Sequence, residues 1–313
     1  MRVLVAGISG KLGRKTALAL RARGHRVAGL DRRPWPEAPG GLDVYAIDVR
    51  KRPAEDVFRR FRPEAVVHLA TMAHLSLDLG SDEQLRQNLG STRAVFDACH
   101  RHGVGRAVFV GRHTFYGAAA DAPLFHTEDE PPLEVASFPA LADLVAADLY
   151  AGSAFWRFPE MGTVVLRLCY TLGPSRRGTL AGLLEGRLVP AVLGFDPLFQ
   201  ILHEDDAAAA IALAVERPIR GVFNVAGPPP LPMSLVARLA GRRLVPLPEP
   251  LVRRVLGRFG FTGLPASAIS HLKYPVTVDD RAFRDATGFR HERDADRAID
   301  DFRLGEAGAF PLP

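Results

Sequence analysis

An α/β fold with a doubly wound parallel sheet is what the sequence predicts, and three observations carry that prediction. The chain opens on an apolar run, Val3 to Ala6, that ends in glycines at Gly7, Gly10 and Gly13 and passes directly into a helical pattern. Further apolar runs alternate with helical segments, as in successive βαβ units. Several of those runs, Ala65 to Leu69 among them, are unbroken rather than alternating, which suits parallel strands covered on both faces.

The glycine turn is the most informative stretch. Gly7, Ser9, Gly10, Lys11, Leu12 and Gly13 lie between the first strand and the first helix. A dinucleotide pyrophosphate needs such a turn, because only glycine lets the backbone approach closely while helix N–H groups point at the phosphates. An ordinary tight strand-to-helix turn is the alternative. Leu12, Thr16, Ala17 and Leu20 give the following helix one apolar face, and Gly24 stops it before the strand His25 to Leu30. Asp31 ends that strand, where an acid commonly holds ribose hydroxyls. Arg32 and Arg33 follow at once, and Lys11 and Arg14 flank the turn, so four cations are available for a 2′-phosphate. Arg32 and Arg33 are otherwise solvated loop charges. NADP(H) is expected ahead of NAD(H).

Asp43 to Ile47 form a short third strand ending at Asp48-Val49, which is placed to meet the adenine amino group and ring face, unless Asp48 is a plain loop acid. A helix over Pro53 to Phe61 and the strand Ala65 to Leu69 follow, with Leu69 and Ala70 beside the cofactor and His68 packed near it. The long helix Asp82 to His102 carries Asn88, which either steadies a backbone bend near the nicotinamide or is a surface amide. Strand five ends at Val110 and delivers Gly111-Arg112-His113-Thr114-Phe115-Tyr116-Gly117 to the sheet edge where chemistry is expected.

Composition excludes several classes. A net charge of +5 comes from dispersed arginines with no basic tail, which disfavours nucleic acid. Cys99 and Cys169 are two isolated thiols in apolar contexts, read as buried small side chains, and they fit a reducing cytoplasm. No stretch approaches the ~18 apolar residues of a membrane span, so a soluble cytoplasmic protein without membrane partners is expected. His203-Glu204-Asp205-Asp206 is read as a helix first turn rich in acids, not as a metal site, and no metal is expected.

These residues resemble the extended short-chain dehydrogenase/reductases, in their NAD-dependent epimerase/dehydratase (UDP-glucose 4-epimerase-like) branch. The resemblance rests on GISGKLG at 7–13, VVHLA at 66–70, NLGSTRAVFDAC at 88–99, FYG at 115–117, EDEPP at 128–132, LRLCYTLGP at 166–174, FQILHEDDAAAAI at 199–211 and GVFNVAG at 221–227. It implies a Rossmann domain over 1–172, with a sheet completed by 198–226, and a mostly substrate-binding lobe over 173–313. It also implies a homodimer through the helices beginning near Asp82 and Ser137.

Members of that family carry a Ser or Thr, a Tyr and a Lys that polarise the substrate oxygen and move its proton. Here Arg112 stands at the Ser/Thr position and, counting back from the acid Asp148, Ala140 and Leu144 stand at the Tyr and Lys positions. Arg112, His113 and Tyr116 are the polar candidates left for catalysis, although the resemblance also gives Tyr116 a structural role. Phe115, Phe138 and Tyr170 are candidates for contact with substrate. Short-chain reductases of antibiotic pathways that lack this set, the angucyclinone ketoreductase type, resemble the chain in these departures. The reading is an NAD(P)H-dependent ketoreductase on an apolar, aromatic polyketide-like small molecule, with the substrate providing its own proton. A nucleotide-sugar epimerase or dehydratase and a non-catalytic NAD(P)-binding protein are the alternatives.

Overall fold

The computed structural model describes residues 1–71, 81–133, 135, 141–264 and 266–305. The elements run β1 (Arg2–Ala6), α1 (Lys11–Ala22), β2 (Arg26–Asp31), β3 (Asp43–Ala46), α2 (Arg52–Phe61), β4 (Ala65–His68), α3 (Ser81–Arg101) and β5 (Arg106–Arg112). After a 3-10 turn over His113–Tyr116 come α4 (Ala142–Arg157), β6 (Gly162–Leu168), β7 (Tyr170–Leu172), α5 (Thr179–Glu185), β8 (Leu188–Val192), β9 (Leu198–Phe199), β10 (Ile201–His203) and α6 (Glu204–Glu216). The remainder is β11 (Gly221–Val225), β12 (Leu231–Pro232), α7 (Met233–Leu239), β13 (Arg243–Leu247), α8 (Glu249–Val255), α9 (Arg281–Thr287) and α10 (Ala295–Leu304).

Seven strands form one sheet in the order β11-β6-β5-β4-β1-β2-β3, and every pairing is parallel. The order reverses between β1 and β4, so the loops after Ala6 and His68 part there and leave a crevice at the carboxyl edge. Sequence drives this layering directly. Val3, Val5, Val67 and Val108 pack on one face with α1 and α6, whereas Leu4, Val66, Ala107 and Phe109 pack on the other with α2, α3 and α4. Parallel strands buried on both faces need that uninterrupted apolar composition. A third apolar cluster, including Tyr170, Leu184, Val236 and Phe302, holds together the smaller pairs β8/β13, β7/β10 and β9/β12.

The glycines of the first turn have separable causes. Gly7 has a φ of +91°, and a Cβ there would lie 2.7 Å from the Leu69 carbonyl carbon. At Gly13 a Cβ would lie 2.2 Å from the Gly7 oxygen, so α1 packs on the turn only through glycine. Gly10 is different: a Cβ would meet only the Gly7 oxygen, at 3.3 Å. The fold demands the first and last of the three, and the middle one is left bare toward the crevice.

Arg167 and Asp148 are both about 5% exposed and pair at 2.8 Å, joining β6 to α4. Outward from the same helix, Leu149 is 51% and Trp156 81% exposed. Among the described residues no helix is long and apolar enough to cross a membrane. Phe138 and Ala140 lie outside the described residues.

Candidate functional site

Two cavities meet at the glycine turn. The larger, about 740 Å³, is lined by Ser9, Asp31, Arg32, Arg33, Asp48, Val49, Leu69 and Ala70, together with the turn itself. The second, about 240 Å³, continues past Leu12 and Gly13 to Val110, Arg112, His113 and Tyr170. The N-terminus of α1 therefore lies between an acid-and-arginine pocket and a pocket at the end of β5. This arrangement fits an extended dinucleotide, with its diphosphate at the turn.

The polar groups of the larger cavity are fixed locally. Asp31 accepts the Ser9 amide at 3.1 Å and the Arg33 amide at 3.0 Å, while Ser9 Oγ donates to the Arg33 carbonyl at 2.7 Å. Asp48 is engaged by Arg50, whose Nη2 donates at 2.7 Å, and this hydrogen bond holds the Asp48 carboxyl below its ordinary range. Arg14 lines the same cavity but its guanidinium is already engaged. It donates to the Ser9 carbonyl at 3.1 Å, sits over Trp35 at 5.0 Å and faces Glu37 at 3.6 Å. Gln87, Ser91, Ile47 and Arg50 also line this space and have no signature in the sequence beyond their helical or loop positions.

Asn88 lines neither cavity. It is fully buried on α3 and donates to Asp143 of α4 at 2.6 Å, so it positions one helix on the other instead of meeting the cofactor. His68 is likewise packed: Nε2 meets Thr92 Oγ1 at 2.9 Å, and burial pushes its pKa down to about 3.

At the end of β5 the candidates separate. Tyr116 is fully buried, receives Arg167 Nη1 at 2.9 Å and donates to Asn224 Oδ1 at 2.7 Å. Burial raises its pKa to about 12. Both functions of the hydroxyl are taken and it lines neither cavity, so Tyr116 is corrected from a catalytic candidate to a structural residue. Phe115 is also corrected. It lies 3.4 Å beneath the Arg167 guanidinium and lines a pocket of about 20 Å³ behind Arg112, shared with Leu144, instead of the main cavity. Tyr150 donates to Asp97 on α3 at 3.0 Å and does not enter the site.

Arg112 lines both the 240 Å³ cavity and the small pocket behind it. Among the described residues no hydrogen bond or ion pair engages its guanidinium. Burial pulls its pKa down and the Asp143 charge opposes that. His113 stands next to it, 2% exposed, with Nδ1 at 3.0 Å from the Leu168 carbonyl. A carbonyl only accepts, so Nδ1 carries the proton and Nε2 presents a lone pair, which has no partner among the described residues. Burial, aided by His271, pushes the His113 pKa down to about 3. At neutral pH this imidazole cannot give a proton; it can accept a hydrogen bond.

His68 and His113 give a stability signature. Their folded pKa values lie below the ordinary 6.5, so the unfolded chain binds more protons between that value and about 3. Stability is expected to fall as pH drops through this window, by up to about 1.4 kcal/mol per unit for each histidine. Chemical denaturation of the wild type and of His113→Gln across that range checks it, with a shallower acid slope in the variant.

Residues 3–226 match the NAD dependent epimerase/dehydratase family. The chain belongs to that family. This makes it a member of an NAD-dependent enzyme family. The 3-diazoavenalumate denitrifying reductase of a Streptomyces species is 32% identical over 278 residues, 83% of this chain and 88% of that protein. The 2′-dehydrokanamycin reductase of Streptomyces kanamyceticus is 31% identical over 251 residues, 74% of this chain and 63% of that protein. Among solved structures, the Thermus thermophilus UDP-glucose 4-epimerase complex with NAD superposes with a TM-score of 0.76 at 24% identity, covering 99% of this chain and all of that one. The shared architecture is that of the epimerase/dehydratase family.

The acid run after β10 has structural duties. His203 Nδ1 accepts the Asp205 amide at 3.1 Å and caps α6, and Asp206 accepts the amides of Glu292 and Arg293 at 3.2 and 3.0 Å. Glu204, in the wall of the 240 Å³ cavity, accepts from Ser175 Oγ and from its amide.

Proposed function

We propose that this chain is an NAD(P)H-dependent reductase that delivers hydride to a carbonyl on an apolar, aromatic polyketide-like substrate without a Tyr/Lys pair. The observation that carries the reading is the unpaired Arg112 guanidinium in the cavity wall at the end of β5, beside Leu144 where the family pattern has Lys. A bound nicotinamide supplies the hydride. Arg112 holds the carbonyl oxygen and stabilises the negative charge that develops on it, in a site walled by Val110, Leu168 and Leu12. A guanidinium stays charged and does not release its proton, so the alkoxide is neutralised by a substrate hydroxyl or by water. The reductase names of both Streptomyces relatives support this class of reaction. A nucleotide-sugar epimerase or dehydratase is the second reading, supported by the architecture shared with the Thermus enzyme.

Arg32 and Arg33 in the wall beside Asp31 support a preference for NADP(H). Replacing both by Ala is expected to weaken NADPH about tenfold relative to NADH, read by fluorescence titration of each cofactor. Equal losses would remove the preference. The functional test follows nicotinamide absorbance against a panel of aromatic hydroxy-ketones and UDP-sugars. Oxidation of NADPH by the ketones supports the proposal, and turnover of UDP-sugars alone overturns it.

A further inference from the structure

The two cavities share six lining residues among those described: Gly7, Gly10, Lys11, Leu69, Thr71 and Arg177. Five come from the β1 and β4 loops. Arg177 alone comes from the second half of the chain, and it reaches the junction where a dinucleotide crosses the glycine turn. Among the described residues no hydrogen bond or ion pair engages its guanidinium.

The position of Arg177 is built. On one side, the Glu204 carboxylate accepts from the Ser175 hydroxyl and, at 3.4 Å, from its amide. On the other, Arg176 takes a left-handed φ of +52°, unusual for a residue with a side chain. Its guanidinium donates to the carbonyls of Phe302 at 2.9 Å and Arg303 at 2.6 Å, at the end of α10. Lys15 of α1 pairs with Asp205 at 2.6 Å and lies 3.8 Å from Glu204, which ties the glycine-turn helix to the element that holds the loop. A loop held at Ser175 and at Arg176 thus presents Arg177, an exposed cation, over the turn.

We infer that Arg177 is a cofactor clamp: from the substrate lobe it pairs with the diphosphate of the bound dinucleotide, opposite the N-terminus of α1. The inference rests on the dinucleotide reading of the site. The clamp makes cofactor hold depend on the 173–178 loop, which also walls the 240 Å³ cavity through Ser175 and Gly178. Seating of substrate and retention of cofactor are thereby coupled through one segment.

Calorimetric titration of the intact protein with ADP-ribose and with adenosine tests it. Arg177→Ala is expected to weaken ADP-ribose about tenfold and leave adenosine unchanged, Arg177→Lys to retain most of the affinity, and added salt to narrow the difference. Arg176→Ala should produce a smaller loss of the same kind. Unchanged ADP-ribose affinity in Arg177→Ala, or an equal loss for adenosine, overturns the clamp while the dinucleotide site stands. A wild-type protein that binds neither ligand overturns the dinucleotide reading itself.

Discussion

Gly10→Glu is expected to abolish dinucleotide binding while the protein stays folded. A side chain at Gly10 meets only the Gly7 oxygen, at 3.3 Å, so the turn tolerates it with a small backbone adjustment. The new carboxylate then occupies the junction of the two cavities, where the diphosphate must sit. Repulsion between like charges in a partly desolvated site, added to steric exclusion, should cost at least about 3 kcal/mol, a loss of more than a hundredfold in affinity. Gly13→Ala is the contrasting variant. Its methyl group would lie 2.2 Å from the Gly7 oxygen, so the penalty falls on folding. Thermal denaturation beside cofactor titration separates the two: Gly10→Glu keeps its transition and loses the ligand, and Gly13→Ala loses the transition. A Gly10→Glu protein that binds cofactor normally would place the diphosphate elsewhere.

Arg112→Gln carries the second large effect. If the guanidinium stabilises the oxyanion, its removal should lower kcat for ketone reduction by about 10²- to 10³-fold, the range for deleting one donor of this kind. Cofactor affinity should stay within about twofold, because Arg112 faces the 240 Å³ cavity and does not line the larger one. Gln keeps a donor but loses the charge, so partial activity measures how much of the effect is electrostatic. Single-turnover reduction with prebound cofactor reads the chemical step directly. An unchanged rate would remove Arg112 from the reaction.

Much of the fold was legible because the strands are short apolar runs with no alternation, and each glycine or acid at their ends has a local cause. The resemblance had the sheet completed within 198–226, and Gly221–Val225 is its edge strand, whereas the strand order is set by tertiary pairing that the runs alone do not announce. The helix Ala295–Leu304 and the strand pair β8/β13 were not anticipated, because their pattern is weak and tertiary packing around Phe302 and Val189 decides them. At the site, Gly7, Ser9, Gly10, Lys11, Leu12, Gly13, Asp31 and Arg112, all named from local signals, line one or both cavities. They failed for Asn88, Phe115 and Tyr116, whose partners Asp143, Arg167 and Asn224 are between 50 and 110 residues away or brought in by other strands. Nothing in the sequence separates Arg177 from its neighbour Arg176. What singles it out is the anchoring of its neighbour on α10, which only three-dimensional structure reveals.

The central claim is hydride transfer without a tyrosine acid, and isotope transfer tests it most directly. Purified protein with reduced cofactor deuterated at the nicotinamide C4 is mixed with an aromatic hydroxy-ketone, and the alcohol is analysed by mass spectrometry. The account predicts one deuterium at the carbinol carbon in the wild type, and a strongly slowed transfer in Arg112→Gln. No label in any ketone product, with cofactor oxidised and re-reduced only on UDP-sugars, would contradict it.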